Sequence, residues 1–124
     1  MGRAAATGPA FRKSSMMDGL LVMTNLPDVA SADKLALQII EARAAACVNR
    51  LAPCTSVYRW QGKVETVTEI PVLIKTTRPA YARLEKLIRA AHPYELPEII
   101  AFPVTEALPE YLHWVNAEIQ THKE

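Results

Sequence analysis

Thiolates, imidazoles and carboxylates are the side chains best able to hold a metal ion. Of the first two kinds this 124-residue chain has only Cys47, Cys54, His92, His113 and His122. Thiolate and imidazole together suit copper or zinc, and a carboxylate can complete such a site. The set the sequence offers is Cys47, His92 and Glu95, with Glu69 or Glu98 as further oxygen donors. Its spacing matches no standard ligand pattern, and the Cys-x-x-Cys pair of ferredoxin-like copper chaperones is not in the sequence. A structural role competes with it: Cys47 stands where an apolar helix enters an apolar strand, a setting that suits a buried, inert thiol. His113 and His122 fall on the last predicted helix without matching ligand spacing and read as surface or packing residues.

Catalytic readings fare worse. Nucleophilic catalysis needs a nucleophile beside an oriented base, and Cys47 with His92 is the one cysteine–histidine pairing to consider, with no local signature around it. The sequence holds no nucleophile elbow, phosphate-cradling loop or metalloprotease helix motif. Only four glycines occur, with Gly2 and Gly8 near the N-terminus. The expectation is a protein that is not an enzyme.

Composition narrows the class. The length fits one domain, and with half of the residues apolar it needs no disulfide or metal to fold. The charge balance, 14 basic against 13 acidic residues, argues against nucleic acid or an anionic membrane as partner. RNA stacking would also need basic residues interleaved with aromatics on the central strands, where the sequence has Glu65, Glu69, Ile99 and Ile100. No apolar run approaches the roughly 20 residues that span a bilayer. Cys47 and Cys54, about 23 Å apart if they share one strand, could not form a disulfide, and unpaired thiols suit a reducing compartment such as the cytoplasm. Residues 1–17 carry Arg3, Arg12 and Lys13 and no acid. They read as a disordered tail, with a loose organelle-targeting composition as the alternative, and the folded domain is expected over residues 18–124.

The elements that must position these residues alternate from Leu20 onward. Leu20–Thr24 reads as a strand, and Asn25-Leu26-Pro27-Asp28 as a turn. A helix capped by Ser31 carries Ala32, Leu35, Ala36, Ile39, Ala42 and Ala46 at helical spacing. Two long strands, about Cys47–Trp60 and Lys63–Thr76, join through Gln61-Gly62 as a hairpin. Pro53 and Pro71 come almost opposite each other, which predicts a bulge or bend. A second helix starts at Pro79 with Leu84, Leu87, Ile88 and Ala91 inward, and ends at His92-Pro93. A strand over Pro97–Thr105 and a helix from Pro109 complete the chain. The fold class is α+β: a ferredoxin-like βαββαβ sandwich with a long central hairpin and an extra C-terminal helix.

The hairpin predicts partners. Arms of about thirteen residues reach roughly 40 Å, whereas a fifteen-residue helix reaches about 22 Å. The uncovered distal part carries Val57, Tyr58, Trp60, Val64 and Val67, and an exposed apolar ribbon with open edges aggregates or finds a partner. Self-association is the expectation; a C-terminal helix folded back over the ribbon is the alternative.

Several segments resemble one family. Ala45-Ala46-Cys47-Val48-Asn49, Ser56-Val57-Tyr58-Arg59-Trp60-Gln61-Gly62-Lys63, Ile74-Lys75-Thr76, His92-Pro93-Tyr94-Glu95-Leu96-Pro97-Glu98-Ile99 and Tyr111-Leu112-x-Trp114 are similar to the CutA-type divalent-cation tolerance proteins across about Leu20–Trp114. Ala107-Leu108-Pro109 departs from that family's Gly-Asn-like turn. The resemblance implies a homotrimer, with subunit contacts at Tyr58, Trp60, Glu69, Tyr94, Glu98, Tyr111 and Trp114. It also implies a role in tolerance of divalent metals such as copper, by binding or regulation, with Cys47 and His92 as ligand positions. The trimer resembles that of PII signalling proteins, which makes a module binding a small ligand or protein at subunit clefts the alternative. An acylphosphatase-like hydrolase on this fold would need an arginine in the loop after the first strand, where Asn25-Leu26-Pro27-Asp28 has none.

Overall fold

A computed structural model describes residues 18–120; the tail expected at 1–17 and His122 lie outside the described residues. The elements are β1 (Gly19–Leu26), α1 (Val29–Glu41), β2 (Cys47–Arg50), β3 (Cys54–Trp60), β4 (Lys63–Thr77), α2 (Arg78–Ala91), β5 (Ile100–Pro103) and α3 (Pro109–Ile119). All pairings are antiparallel, in the order β2-β4-β1-β5, with β3 pairing to β4. With β2 and β3 taken as one bent strand, this is the ferredoxin-like βαββαβ order followed by an extra helix.

Strand periodicity builds the core. Leu20, Val22, Thr24 and Leu26 on β1 and Ile70, Val72, Ile74 and Thr76 on β4 are all buried. Alternate residues share a face, so one face of the sheet packs on Ala32, Leu35 and Ile39 of α1 and on Leu84 and Ile88 of α2. The helix starts one turn before the expected cap: Asp28, not Ser31, is the N-cap, and its carboxylate accepts from Ser31 N at 2.7 Å. That hydrogen bond holds the Asp28 pKa below the usual carboxylate range. One further inner position is corrected: Ala91 is exposed. The strand expected over Pro97–Thr105 shrinks to Ile100–Pro103, because β1 pairs with it only from Leu20 to Met23.

The expected bend is present. Arg50 pairs with Val72 and Cys54 with Glu69, so Leu51-Ala52-Pro53 oppose only Ile70-Pro71. One extra residue on one strand is a β-bulge. Leu51 N donates to Pro71 O at 2.9 Å, and Pro71 has no N–H to return. At the hairpin tip Gln61 and Gly62 have φ of 49° and 84°, the left-handed pair of a two-residue turn.

Beyond the bulge β4 pairs only with β3, as a two-stranded ribbon. Val57 and Val64 are 65% and 63% exposed there. The C-terminal helix does not cover them. It packs at the opposite end of the molecule, where Val115 and Ile119 bury against Ala80 and Ala46, and Arg43 Nη1 donates to Glu118 O at 2.8 Å.

Leu84 is fully buried between α2 and the sheet, whereas Leu37 on α1 is 59% exposed. Leu84→Ala is therefore expected to lower the unfolding free energy by about 3 kcal/mol, and Leu37→Ala by less than about 0.5 kcal/mol. Urea denaturation of the two variants beside the parent checks the contrast.

Candidate functional site

The candidate site lies where β1 ends, at the root of the ribbon. Asn25 stands two residues past Met23, the last β1 residue paired with β5, so its carbonyl is beyond that ladder. His92, at the C-terminal end of α2, fills the vacancy: its Nε2 lies 2.7 Å from Asn25 O. A carbonyl only accepts, so Nε2 carries the proton. The other ring nitrogen, Nδ1, accepts from Tyr94 N at 3.1 Å. Both nitrogens of one neutral tautomer are thereby used. Burial pushes the His92 pKa below the ordinary 6.5, against the opposing pulls of the Asn25 carbonyl and Glu69. The imidazole packs on the Tyr94 ring with centroids 4.9 Å apart.

This turn delivers two more contacts across the chain. Tyr94 Oη donates to Glu69 Oε2 at 3.0 Å. Glu69 is buried at 6% exposure, at the β4 position where the ribbon leaves the core. Burial and the Glu69 carboxylate together hold the phenol proton, and the Tyr94 pKa is pushed up to about 12. Asn25 Nδ2 donates to Glu98 Oε1 at 3.0 Å. Between the ribbon and residues 93–100 runs an open groove of about 880 Å³, walled by Val57, Tyr58 and Trp60 on one side and by Tyr94, Leu96 and Ile99 on the other.

The site residues expected from sequence divide into three places. His92, Tyr94, Glu69 and Glu98 form the bonded set just described, Tyr58 and Trp60 wall the groove, and Glu95 is an exposed lining residue. Tyr111 and Trp114 stack on α3 with centroids 5.7 Å apart, away from the groove. Cys47 sits elsewhere again. It pairs with Lys75, four β4 positions from the Pro71 that faces Asn25. That places it about 13 Å along the strands and about 10 Å across them from Asn25.

Cys47, His92 and Glu95 are therefore not gathered into one centre within a protomer. Among the described residues no three of His, Cys, Asp and Glu are placed to hold a metal ion. His92 also offers no free lone pair, since Nδ1 is bonded and Nε2 is protonated. Within one protomer these residues do not come together around a shared metal. Asn25 was not foreseen: a strand-end asparagine reads locally as a turn residue, and its partners lie 67 and 73 residues away.

Two outcomes follow from the bonded set. Below pH 6.5 the unfolded chain protonates His92 while the native ring, with its lower pKa, does not, so the unfolded state binds more protons and stability falls as pH falls. Urea midpoints measured between about pH 7 and pH 5 should drop more steeply for the parent than for His92→Gln. Tyr94→Phe leaves a buried carboxylate short of its donor and should cost about 1–3 kcal/mol. Most of that loss should return on adding Glu69→Gln, as a double-mutant cycle would show.

Comparison with known proteins bears on this arrangement. Residues 20–118 match the family model "CutA1 divalent ion tolerance protein". The chain is 42% identical over 96 residues to the divalent-cation tolerance protein CutA of Thermus thermophilus, covering 77% of this chain and 93% of that protein. The crystal structure of CutA from Xylella fastidiosa superposes with a TM-score of 0.81 at 45% identity, covering 83% of this chain and 99% of that one. The structure described as the periplasmic divalent cation tolerance protein CutA from Archaeoglobus fulgidus does so with a TM-score of 0.80 at 30% identity, covering 82% and 99%. With most of its length matched in both sequence and fold, this chain belongs to the CutA1 divalent ion tolerance protein family.

Proposed function

We propose that the protein works as a homotrimer in the tolerance of divalent metals such as copper, as a responsive or binding protein and not as a catalyst. The observation that carries this reading is the family match over residues 20–118, a family described by ion tolerance and not by a reaction. Because the residues expected to share a metal are dispersed, metal contact in this reading falls to the Cys47 thiol, which is half-buried, unpaired and 4.0 Å from Asn49 Oδ1. His92 serves the architecture.

The apolar surface left open supports self-association. The sheet face away from α1 and α2 carries Leu21 and Phe102 in one cross-strand row and Met23 and Ile100 in another. Phe102 is 48% exposed and Trp60 on the ribbon 37%. Exposed apolar strands beside a short edge strand are stabilised by a second copy. The two unpaired cysteines fit a reducing compartment, and we place the protein in the cytoplasm. None of the described helices is long and apolar enough to cross a membrane.

A second reading, a trimeric signalling or assembly module that takes a small ligand, is favoured by the groove at the ribbon's root.

Copper(II) titrated calorimetrically into reduced protein is expected to bind stoichiometrically, with binding lost in Cys47→Ser and retained in His92→Gln. Binding that is absent, or unchanged in Cys47→Ser, would mean that the tolerance role does not run through this thiol. Light scattering should give three times the chain mass. Phe102→Glu is expected to shift it toward smaller species, and a stable parent monomer at micromolar concentration would refute the trimer.

A further inference from the structure

The hydrogen bonds of the His92 ring require it to be neutral. Nε2 donates to Asn25 O at 2.7 Å, and Nδ1 accepts from Tyr94 N at 3.1 Å. An imidazolium carries a proton on both nitrogens and accepts nothing. A second proton enters at Nδ1, where it meets the Tyr94 N–H donor to donor. Charging the ring therefore opens the turn from His92 to Tyr94. The residue is only 8% exposed, so in the closed turn the charge would also be poorly solvated.

An anion stands ready to receive that charge. Glu69 is 6% exposed, its Oε2 accepts from Tyr94 Oη at 3.0 Å, and its charge already acts on the imidazole. A carboxylate bonds more strongly to a cationic donor than to a neutral phenol. Glu69 thus has two alternative donors on one turn, the Tyr94 phenol while the ring is neutral and the imidazolium once it is charged. The two exclude each other, because the imidazolium forms only when the Tyr94 amide leaves Nδ1.

The other charges nearby act elsewhere. On β1 the ring meets the Asn25 carbonyl, and the Asn25 side chain engages Glu98. Asp28 at the start of α1 and Tyr58 on β3 act on Tyr94. Lys34 of α1, which shares a surface groove with Ala91 and Pro93, and Arg89, one turn back on α2, are exposed and screened by solvent.

We propose that His92 is a proton-operated latch at the root of the ribbon: a proton on Nδ1 expels the Tyr94 amide, Glu69 passes from the Tyr94 phenol to the imidazolium, and the turn over residues 93–98 is released from β4. The proton comes from solvent, and only hydrogen bonds are exchanged. Glu69 is the β4 residue paired with Cys54, where the ribbon leaves the bulge, so the latch acts at the junction of ribbon and core. It rests on neither the metal nor the oligomer reading, since Cys47 stands elsewhere on the sheet. Burial holds the closed ring's pKa below 6.5, so the latch opens on the acid side of neutrality and closes above it.

The Tyr94 amide is the direct reporter. Its hydrogen exchange is followed by NMR on the full chain from about pH 7.5 to about pH 5, relative to an unstructured peptide at each pH. It should accelerate at least about tenfold in the parent over that range, while the core amides of Val22 and Ile74 keep their protection. His92→Gln offers a donor and an acceptor but does not titrate, and its Tyr94 protection should stay constant. Glu69→Gln keeps an acceptor for the Tyr94 phenol and removes the anion, so the acid acceleration should shrink at least about threefold. Circular dichroism checks that both variants fold. Constant Tyr94 protection in the parent, equal acceleration in His92→Gln or indifference to Glu69→Gln would overturn the proposal. Acceleration of Val22 and Ile74 in step with Tyr94 would overturn it too, because that is acid destabilisation of the whole fold and not the opening of a latch.

Discussion

The structure depends on one strand being longer than the helices that cover it. β4 has 15 residues, roughly 50 Å of extended chain, whereas α1 has 13 and spans about 20 Å. Its C-terminal half lies in mid-sheet between β2 and β1, and its N-terminal half has only β3 for company. The bulge at Leu51-Ala52-Pro53 marks the boundary between a two-layer core and a naked ribbon. From that mismatch come the exposed valines and aromatics and the groove at the ribbon's root.

At the boundary a short relay of polar groups replaces regular pairing. β5 begins only at Ile100, opposite Met23, and the Asn25 carbonyl beyond that pairing is taken by His92. The proline that follows His92 turns the chain so that Tyr94 reaches Glu69 and Glu98 reaches Asn25. Each group satisfies a neighbour on a different element, so the helix end, the strand end and the ribbon root are fixed together. Buried networks of this kind are stiff when satisfied, and within this one Asn25 Oδ1 alone has no partner among the described residues.

This arrangement alters the reading of the metal residues. A cysteine and a histidine in one chain suggest a soft-metal site by type, yet type says nothing about separation. Cys47 and His92 belong to different ends of the sheet, and the imidazole has spent both nitrogens on backbone groups. Membership in an ion-tolerance family and the absence of an assembled three-residue centre within the described protomer are compatible if the thiol acts without the imidazole.

Much of the fold was legible locally because its causes are local. Alternation on β1 and β4, the Gln61-Gly62 turn and the proline that ends α2 each act within a few residues, and so do the bend at Pro53 and the start of α3 at Pro109. The unpartnered ribbon was legible too, since strand and helix lengths follow from fixed rises per residue. Where one cap outcompeted another, as Asp28 did Ser31, the choice turned on which carboxylate or hydroxyl reached the first free amide. Why Ala91 faces outward, how short β5 is and where α3 packs depended on which surfaces met. The site itself was decided only by tertiary structure. The sequence supplied His92, Tyr94, Glu69 and Glu98 as residues of interest, but the fold put Asn25 at their centre and Cys47 out of reach. Hydrogen bonds across 67 and 73 residues leave no periodic or local trace in a chain, because they arise from the register of strands that meet only after folding.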